Sequence, residues 1–138
     1  CERPLMICDT GHNSHGLRPV MAQLERLYND RKAAKELLQT CRLRIVIGMM
    51  SDKDVNVVVD LLPSDAEYYV TQTDSPRALK SSELLRKVKE RGLNGVSYNT
   101  VEEALSAVLR DASEDDIVFI GGSNYIVGKA LHFLSAMQ

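Results

Sequence analysis

Short apolar runs alternate along this chain with stretches whose apolar residues recur every three or four positions. A strand pattern that keeps giving way to a helical one predicts repeated βα units. Leu5-Met6-Ile7-Cys8 reads as a first strand. A helical stripe follows from about His15 to Gln39, through Leu17, Val20, Met21, Leu24 and Leu27, then Ala34, Leu37 and Leu38. Within it, the polar section Tyr28-Asn29-Asp30-Arg31 marks a candidate break between two helices. Arg44 to Met50 is nearly continuous in apolar residues, as in a strand covered on both faces. A helix is expected from Lys53 to Leu62, closed by Pro63-Ser64-Asp65.

Ala66 to Thr73 is rich in β-branched and aromatic residues and predicts a third strand. The loop Asp74-Ser75-Pro76-Arg77-Ala78 leads to a helix from about Ser82 to Arg91, with Gly92 as its carboxyl cap. Gly95 to Tyr98 is a short strand, and Thr100-Val101-Glu102-Glu103 has the form of a capping box opening another helix. Asp116 to Ile120 is the last strand, ending on Gly121-Gly122-Ser123, and a final helix runs from about Tyr125 to Ala136. The succession predicts one α/β domain, Rossmann-like, with a doubly wound and mainly parallel sheet of about five to six strands. No internal repeat, linker or low-complexity tract interrupts it.

In such a sheet the strand tips share one edge, where ligands bind. Here the tips are Asp9 to Asn13, Ser51 to Asp54, Asp74 to Arg77, Asn99, and Gly121 to Tyr125. The first is the most informative, because Asp-Thr-Gly-His-Asn-Ser-His places more polar groups at a strand end than one helix cap needs. Asp9 offers two acceptor oxygens suited to a sugar diol, and His12 and Asn13 can donate to a carboxylate or phosphate. Lys53, expected at a helix N-terminus, adds positive charge where helix amides already favour anions. Ser123 supplies a hydroxyl and its amide beside a glycine pair that admits close approach. Simpler roles stand beside these: an Asx turn and cap at Asp9 to Ser14, a solvated surface lysine at 53, and an N-cap at Ser123.

Bulk properties narrow the class. The chain has 138 residues, enough for a core of its own, and its net charge of −2 argues against nucleic acid or an anionic membrane as the main partner. No apolar run approaches the roughly 20 residues that span a bilayer. Cys1, Cys8 and Cys41 form no CxxC pair, so neither a disulfide framework nor a zinc site is expected, and a reduced, cytoplasmic setting is. Cys8 is read as a small buried hydrophobe. The chain enters its first strand almost at once, without a signal-peptide layout, and is read as a domain cut from a longer protein.

Three other motifs fail on their own chemistry. Gly122 to Ala130 resembles a phosphate loop, but five residues separate its glycines and Ala130 stands where a hydroxyl should hold magnesium. Asp9-Thr10-Gly11 occurs once, without the second copy an aspartic protease site needs. His12 and His15 lack a third ligand, and no GxGxxG follows a strand. His132 is read as an ordinary surface or core histidine.

Taken in order, four tips resemble the carboxy-terminal domain of folylpolyglutamate synthase/dihydrofolate synthase, in the Mur ligase superfamily. Asp9-Thr10-Gly11-His12-Asn13 matches that family's Asp-Gly-Ala-His-Asn, and Gly48 to Asp54 its Gly-Met-x-x-Asp-Lys-Asp. Pro76-Arg77-Ala78-Leu79 with Glu83-Leu84 matches Pro-Arg-Ala-x-x-x-x-Glu-Leu, and Gly122 to Gly128 matches Gly-Ser-x-Tyr-x-x-Gly. Each motif is weak alone; their order over nearly the whole chain is specific. The resemblance implies a ligase that joins glutamate to a folate carboxyl group with ATP, through an acyl phosphate. It implies that Asp9 holds the ATP ribose and that His12, Lys53 and Ser123 surround the incoming glutamate. Asn13, Asp74, Arg77 and Tyr125 would lie at the site edge. Thr10-Gly11 replaces the common Gly-Ala, and Ser14 stands where proline is usual. The resemblance places the phosphate loop, the Mg2+ ligands and most of the folate site in an amino-terminal ATPase domain, so this part alone is expected to be inactive. The competing reading is a non-enzymatic module of the same architecture, a receiver or small-ligand sensor.

Overall fold

The computed structural model describes residues 4–11, 13–34, 41–51 and 54–137. Strands β1 (Leu5–Cys8), β2 (Leu43–Ile47), β3 (Glu67–Val70), β4 (Asn94–Ser97) and β5 (Ile117–Gly121) alternate with helices α1 (Ser14–Ala34), α2 (Val55–Leu61), α3 (Ser81–Glu90), α4 (Val101–Asp111) and α5 (Asn124–Ala136). The strands form one parallel sheet in the order β1-β5-β2-β3-β4. The chain moves outward from β2 to β4 and returns through α4 to place β5 between β1 and β2.

The period of two along each strand decides which helix covers which face. Leu43, Ile45, Ile47, Tyr68, Val70, Ile117 and Phe119 face a core built with α1, α2 and α3. Val46, Tyr69, Val118 and Ile120 face a second core built with α4 and α5. The helices that follow β1 and β2 therefore leave on one face, and the helix that follows β5, which lies between them, leaves on the other. That divergence is the topological switch point of a doubly wound sheet, and it opens the sheet's carboxyl edge at the tip of β5.

The candidate break at Tyr28 to Arg31 does not occur: α1 continues to Ala34. Tyr28 rather than Leu27 carries the apolar stripe. Tyr28 is buried with Leu17, Met21 and Leu24, whereas Leu27 is exposed. The polar groups that suggested a break are used across the fold. The Tyr28 hydroxyl donates to Asp65 at 3.1 Å, and Arg31 Nε donates to the Asp115 carbonyl at 2.9 Å. The expected extension of this helix to Gln39 lies outside the described residues. The third strand is shorter than its composition suggested, running from Glu67 to Val70, and beyond it the Gln72 side chain accepts the Ser81 amide at 2.7 Å.

Gly92 follows α3 at φ +79°, the left-handed position expected of its cap. At the start of α4, Thr100 Oγ1 accepts the Glu103 amide at 3.1 Å. Thr100→Ala is expected to cost about 1 kcal/mol, a typical loss for a removed N-cap, read as a lower urea midpoint with unchanged slope.

Candidate functional site

The site is built from three loops around the tip of β5. Its first side is the chain leaving β1. Asp9 keeps the sheet register by donating its amide to the Ile120 carbonyl at 3.1 Å, and its Oδ1 then accepts the Gly11 amide at 2.7 Å. One carboxylate oxygen thus shapes the turn. Oδ2 takes no hydrogen bond among the described residues, so Asp9 retains an acceptor at the sheet edge. Asn13 caps α1, its Oδ1 accepting the Gly16 amide at 2.9 Å. The capping role read from the sequence is therefore present, and it leaves the Asn13 amide NH2 as the group able to donate outward. Burial pushes the thiol of neighbouring Cys8 above its usual range, which makes it a packing group rather than a thiolate nucleophile.

The second side is the chain leaving β2, which is tied to the Pro-Arg-Ala loop. Met50 and Ala78 form an isolated antiparallel bridge. Around it, the Ser51 amide and hydroxyl both donate to the Arg77 carbonyl, at 2.7 and 2.9 Å, and the Leu79 amide donates to Met49. Two motifs separated in sequence are thereby held as one ledge. Arg77 contributes its backbone to that ledge, and its side chain is exposed.

The floor is β5 itself. Gly48 N donates to the Gly121 carbonyl at 3.3 Å, and Gly122 adopts φ +104° as the chain turns toward α5. Ser123 caps α5: its Oγ accepts the Ile126 amide at 3.2 Å, and the residue is 2% exposed. The cap uses a lone pair and leaves the O–H proton available for donation. Tyr125, the second residue of the same helix, is exposed.

Asp9, Asn13 and Ser123 are thus brought to one edge around β5. Asp74 lies farther along it, exposed and 3.7 Å from Lys129 of α5, beside a cavity of about 280 Å3 that Gln72, Asn99 and Thr100 also line. His12 and Lys53 lie outside the described residues. Sequence analysis places Ser51 at a strand tip but not its Arg77 partner, and does not single out Lys129, because each contact depends on a loop remote in sequence. Thr71 was also unforeseen: it is fully buried at the end of β3, its hydroxyl has no partner among the described residues, and its amide donates to Ile47. His132 is exposed on α5.

A larger cavity, about 640 Å3, is elsewhere, at the amino end of the sheet beside β4. Several of its polar groups pair with one another. Arg44 donates to the Tyr69 hydroxyl at 2.9 Å, which donates to Asp111 at 2.8 Å, while Tyr69 and Tyr98 stack with centroids 6.2 Å apart. Burial first, and then the bond to Asp111, push the Tyr69 hydroxyl up to about 12. This network lies away from the tips of β1, β2 and β5.

The profile of the Mur ligase glutamate ligase domain matches residues 1–124. The chain belongs to this family. Its relatives include the dihydrofolate synthase/folylpolyglutamate synthase of Escherichia coli K12, 28% identical over an alignment that covers 99% of this chain and 29% of that protein. The folylpolyglutamate synthase of Lacticaseibacillus casei is 27% identical over 91% of this chain and 26% of its own length. Among solved structures, E. coli FolC in complex with DHPP and ADP matches at TM-score 0.80 and 28% identity, over 99% of this chain and 30% of that one. A bifunctional folylpolyglutamate synthase/dihydrofolate synthase with Mn, AMPPNP and L-glutamate bound matches at TM-score 0.72 and 26% identity, over 98% and 30%. This Mur ligase domain therefore spans under a third of each of these relatives. No helix among its described residues is long and apolar enough to cross a membrane.

Proposed function

We propose that residues 1–138 are the carboxy-terminal domain of a two-domain, ATP-dependent ligase that adds glutamate to a folate carboxyl group. The observation that carries this reading is the convergence of the β1, β2 and β5 tips at one switch point, each bearing a family motif. It is supported by the likeness to a ligase crystallised with AMPPNP, manganese and L-glutamate. In this reading ATP converts the folate carboxylate to an acyl phosphate on an amino-terminal domain. The glutamate amine then attacks the acyl carbon, the carbon–nitrogen bond forms as phosphate leaves, and the amine gives up a proton.

The part of this domain is positioning. His12, Lys53 and Ser123 contact the incoming glutamate, the latter two at its carboxylates, and Asp9 takes the ATP ribose. Asn13, Asp74, Arg77 and Tyr125 border the site. Each fixed contact removes freedom that the amine would otherwise lose on reaching the acyl carbon. The buried Ser123 O–H, already oriented by its cap bond, suits that task. No three His, Cys, Asp or Glu side chains come together among the described residues. No step through magnesium is assigned to them. Its ligands, like the ATPase machinery, belong in this reading to the amino-terminal domain, in a cytoplasmic enzyme.

The test is turnover of the full-length protein with ATP, glutamate and a reduced folate or dihydropteroate, beside Lys53→Ala and Ser123→Ala. Each variant is expected to raise the glutamate KM at least about tenfold, the loss of a hydrogen bond to a charged group. Parental kinetics in both variants would overturn the residue assignment. A parent without glutamate-dependent turnover would overturn the ligase reading in favour of a small-ligand-binding module.

A further inference from the structure

β1 and β2 both pair with β5 and not with each other. No ladder hydrogen bond can therefore set the spacing of the loops that leave them, although those loops flank the β5 tip from its two sides. A bond outside the sheet spans the gap. Asp54, the residue before α2, occupies an N-cap position, yet its carboxylate makes no bond to its own helix. Instead, both its oxygens accept the Ser14 amide at 3.3 Å, and Oδ2 also accepts the Ser14 hydroxyl.

The donors come from a particular place. Ser14 is the first residue of α1, where the backbone N–H has no partner within the helix. The Gly16 and Leu17 amides are satisfied by Asn13, through its side chain and its carbonyl. The Ser14 amide points instead to a residue 40 positions later. The Asp54 charge also lies at the positive end of α1. Proline, which the family motif carries here, would start the helix equally well but would bring neither donor. Because the pair is exposed, solvent screens it and its yield in global stability is small. What it fixes is the distance between two loops.

We propose that Ser14 and Asp54 are positioning residues: their latch sets the gap between the β1 and β2 loops across the β5 tip, and thereby the fit of the glutamate site. The consequence for glutamate rests on the ligase reading; the latch does not. The experiment takes the full-length protein and its Ser14→Pro, Asp54→Asn and doubly substituted forms. Ser14→Thr, which keeps both donors, is the rescue control. Amide hydrogen exchange is followed at Thr10 to Gly16 and at Val55 to Val58. Each single variant is expected to speed exchange in both segments by roughly fivefold, and the double variant no further, as for one shared interaction. The glutamate KM should rise by roughly the same factor with kcat within about twofold, and Ser14→Thr should match the parent. Faster exchange confined to the substituted loop, or additive effects in the double variant, would overturn the latch. Coupled exchange in an active parent with an unchanged glutamate KM would overturn its link to the glutamate site. Coupled exchange in a parent without ligase turnover would uphold the latch and overturn the ligase reading alone.

Discussion

Asp116→Ala is expected to be among the most destabilising single changes available in this chain, costing about 3–5 kcal/mol, the range for breaking a buried, hydrogen-bonded ion pair. Asp116 is 1% exposed at the foot of β5. Its Oδ1 accepts the Arg42 amide at 2.9 Å and the Ser113 hydroxyl at 3.1 Å. Its Oδ2 accepts Arg44 Nε at 2.9 Å and the Ser113 amide at 3.0 Å. Alanine leaves a largely buried guanidinium and two backbone amides without their acceptor at the junction of the two central strands. Urea unfolding of the variant should show a lower midpoint. A double-mutant cycle with Arg44→Met should give a combined loss well below the sum of the two, since the second change removes the charge that the first one strands. Because Asp116 lies at the opposite end of β5 from Ser123, the folded fraction of the full-length protein should, on the proposed ligase reading, retain the parental glutamate KM. A loss under about 1 kcal/mol would mean that solvent reaches the pair and screens it as it would a surface ion pair.

This residue also marks how far the sequence could be read. Ser113-Glu114-Asp115-Asp116 looks like a solvated acidic turn before a strand, and nothing local distinguishes its last carboxylate from the others. What singles it out is Arg42 and Arg44, more than 70 positions away, brought beside it by the return of β5 into the middle of the sheet. The elements themselves were legible because period and punctuation are local. Thr100 and Gly92 place the start of α4 and the end of α3 to within a residue or two, and the Arg44–Met50 run finds the start of β2 within one residue but overshoots its end at Ile47 by three. The continuity of α1 was not, because Tyr28 and Arg31 behave as helix residues only through bonds to Asp65 and Asp115. The same division holds at the site. Motif order and strand-end chemistry selected Asp9, Asn13 and Ser123, which the fold brings to one edge. The sequence left their local work open, whereas the structure gives each a turn or cap bond alongside any ligand role. The joining of the Ser51 loop to the Arg77 carbonyl depends on β2 and β3 pairing in register, which no local pattern encodes.

Gly122→Ala is expected to damage the site itself. Gly122 sits at φ +104°, a backbone conformation that side-chain-bearing residues rarely adopt, and a Cβ there would stand 2.3 Å from the Gly48 carbonyl oxygen and 3.0 Å from Ile47 Cγ1. A flexible side chain could move aside, but the carbonyl of Gly48 belongs to the β2 tip, so relief requires β2 and β5 to separate. Strained φ and overpacking each cost about 1–3 kcal/mol, which puts the combined loss at roughly 2–6 kcal/mol. The displaced elements are those that carry Ser123 and face the Ser51 loop. On the proposed ligase reading, the glutamate KM of the full-length protein is therefore expected to rise by more than about tenfold even where the variant remains folded, as misplacement of positioning groups does. Gly128→Ala is the matched control. It lies on the exposed side of α5 with nothing within 4 Å of a Cβ, and alanine in a helix interior should add about 0.5–1 kcal/mol. Opposite signs for two substitutions six residues apart would show that glycine at 122 is there for the approach of one strand tip to another. Equal, small effects at both positions would mean that the β5 turn yields freely, and that the tight contact with the β2 tip does not govern the proposed glutamate site.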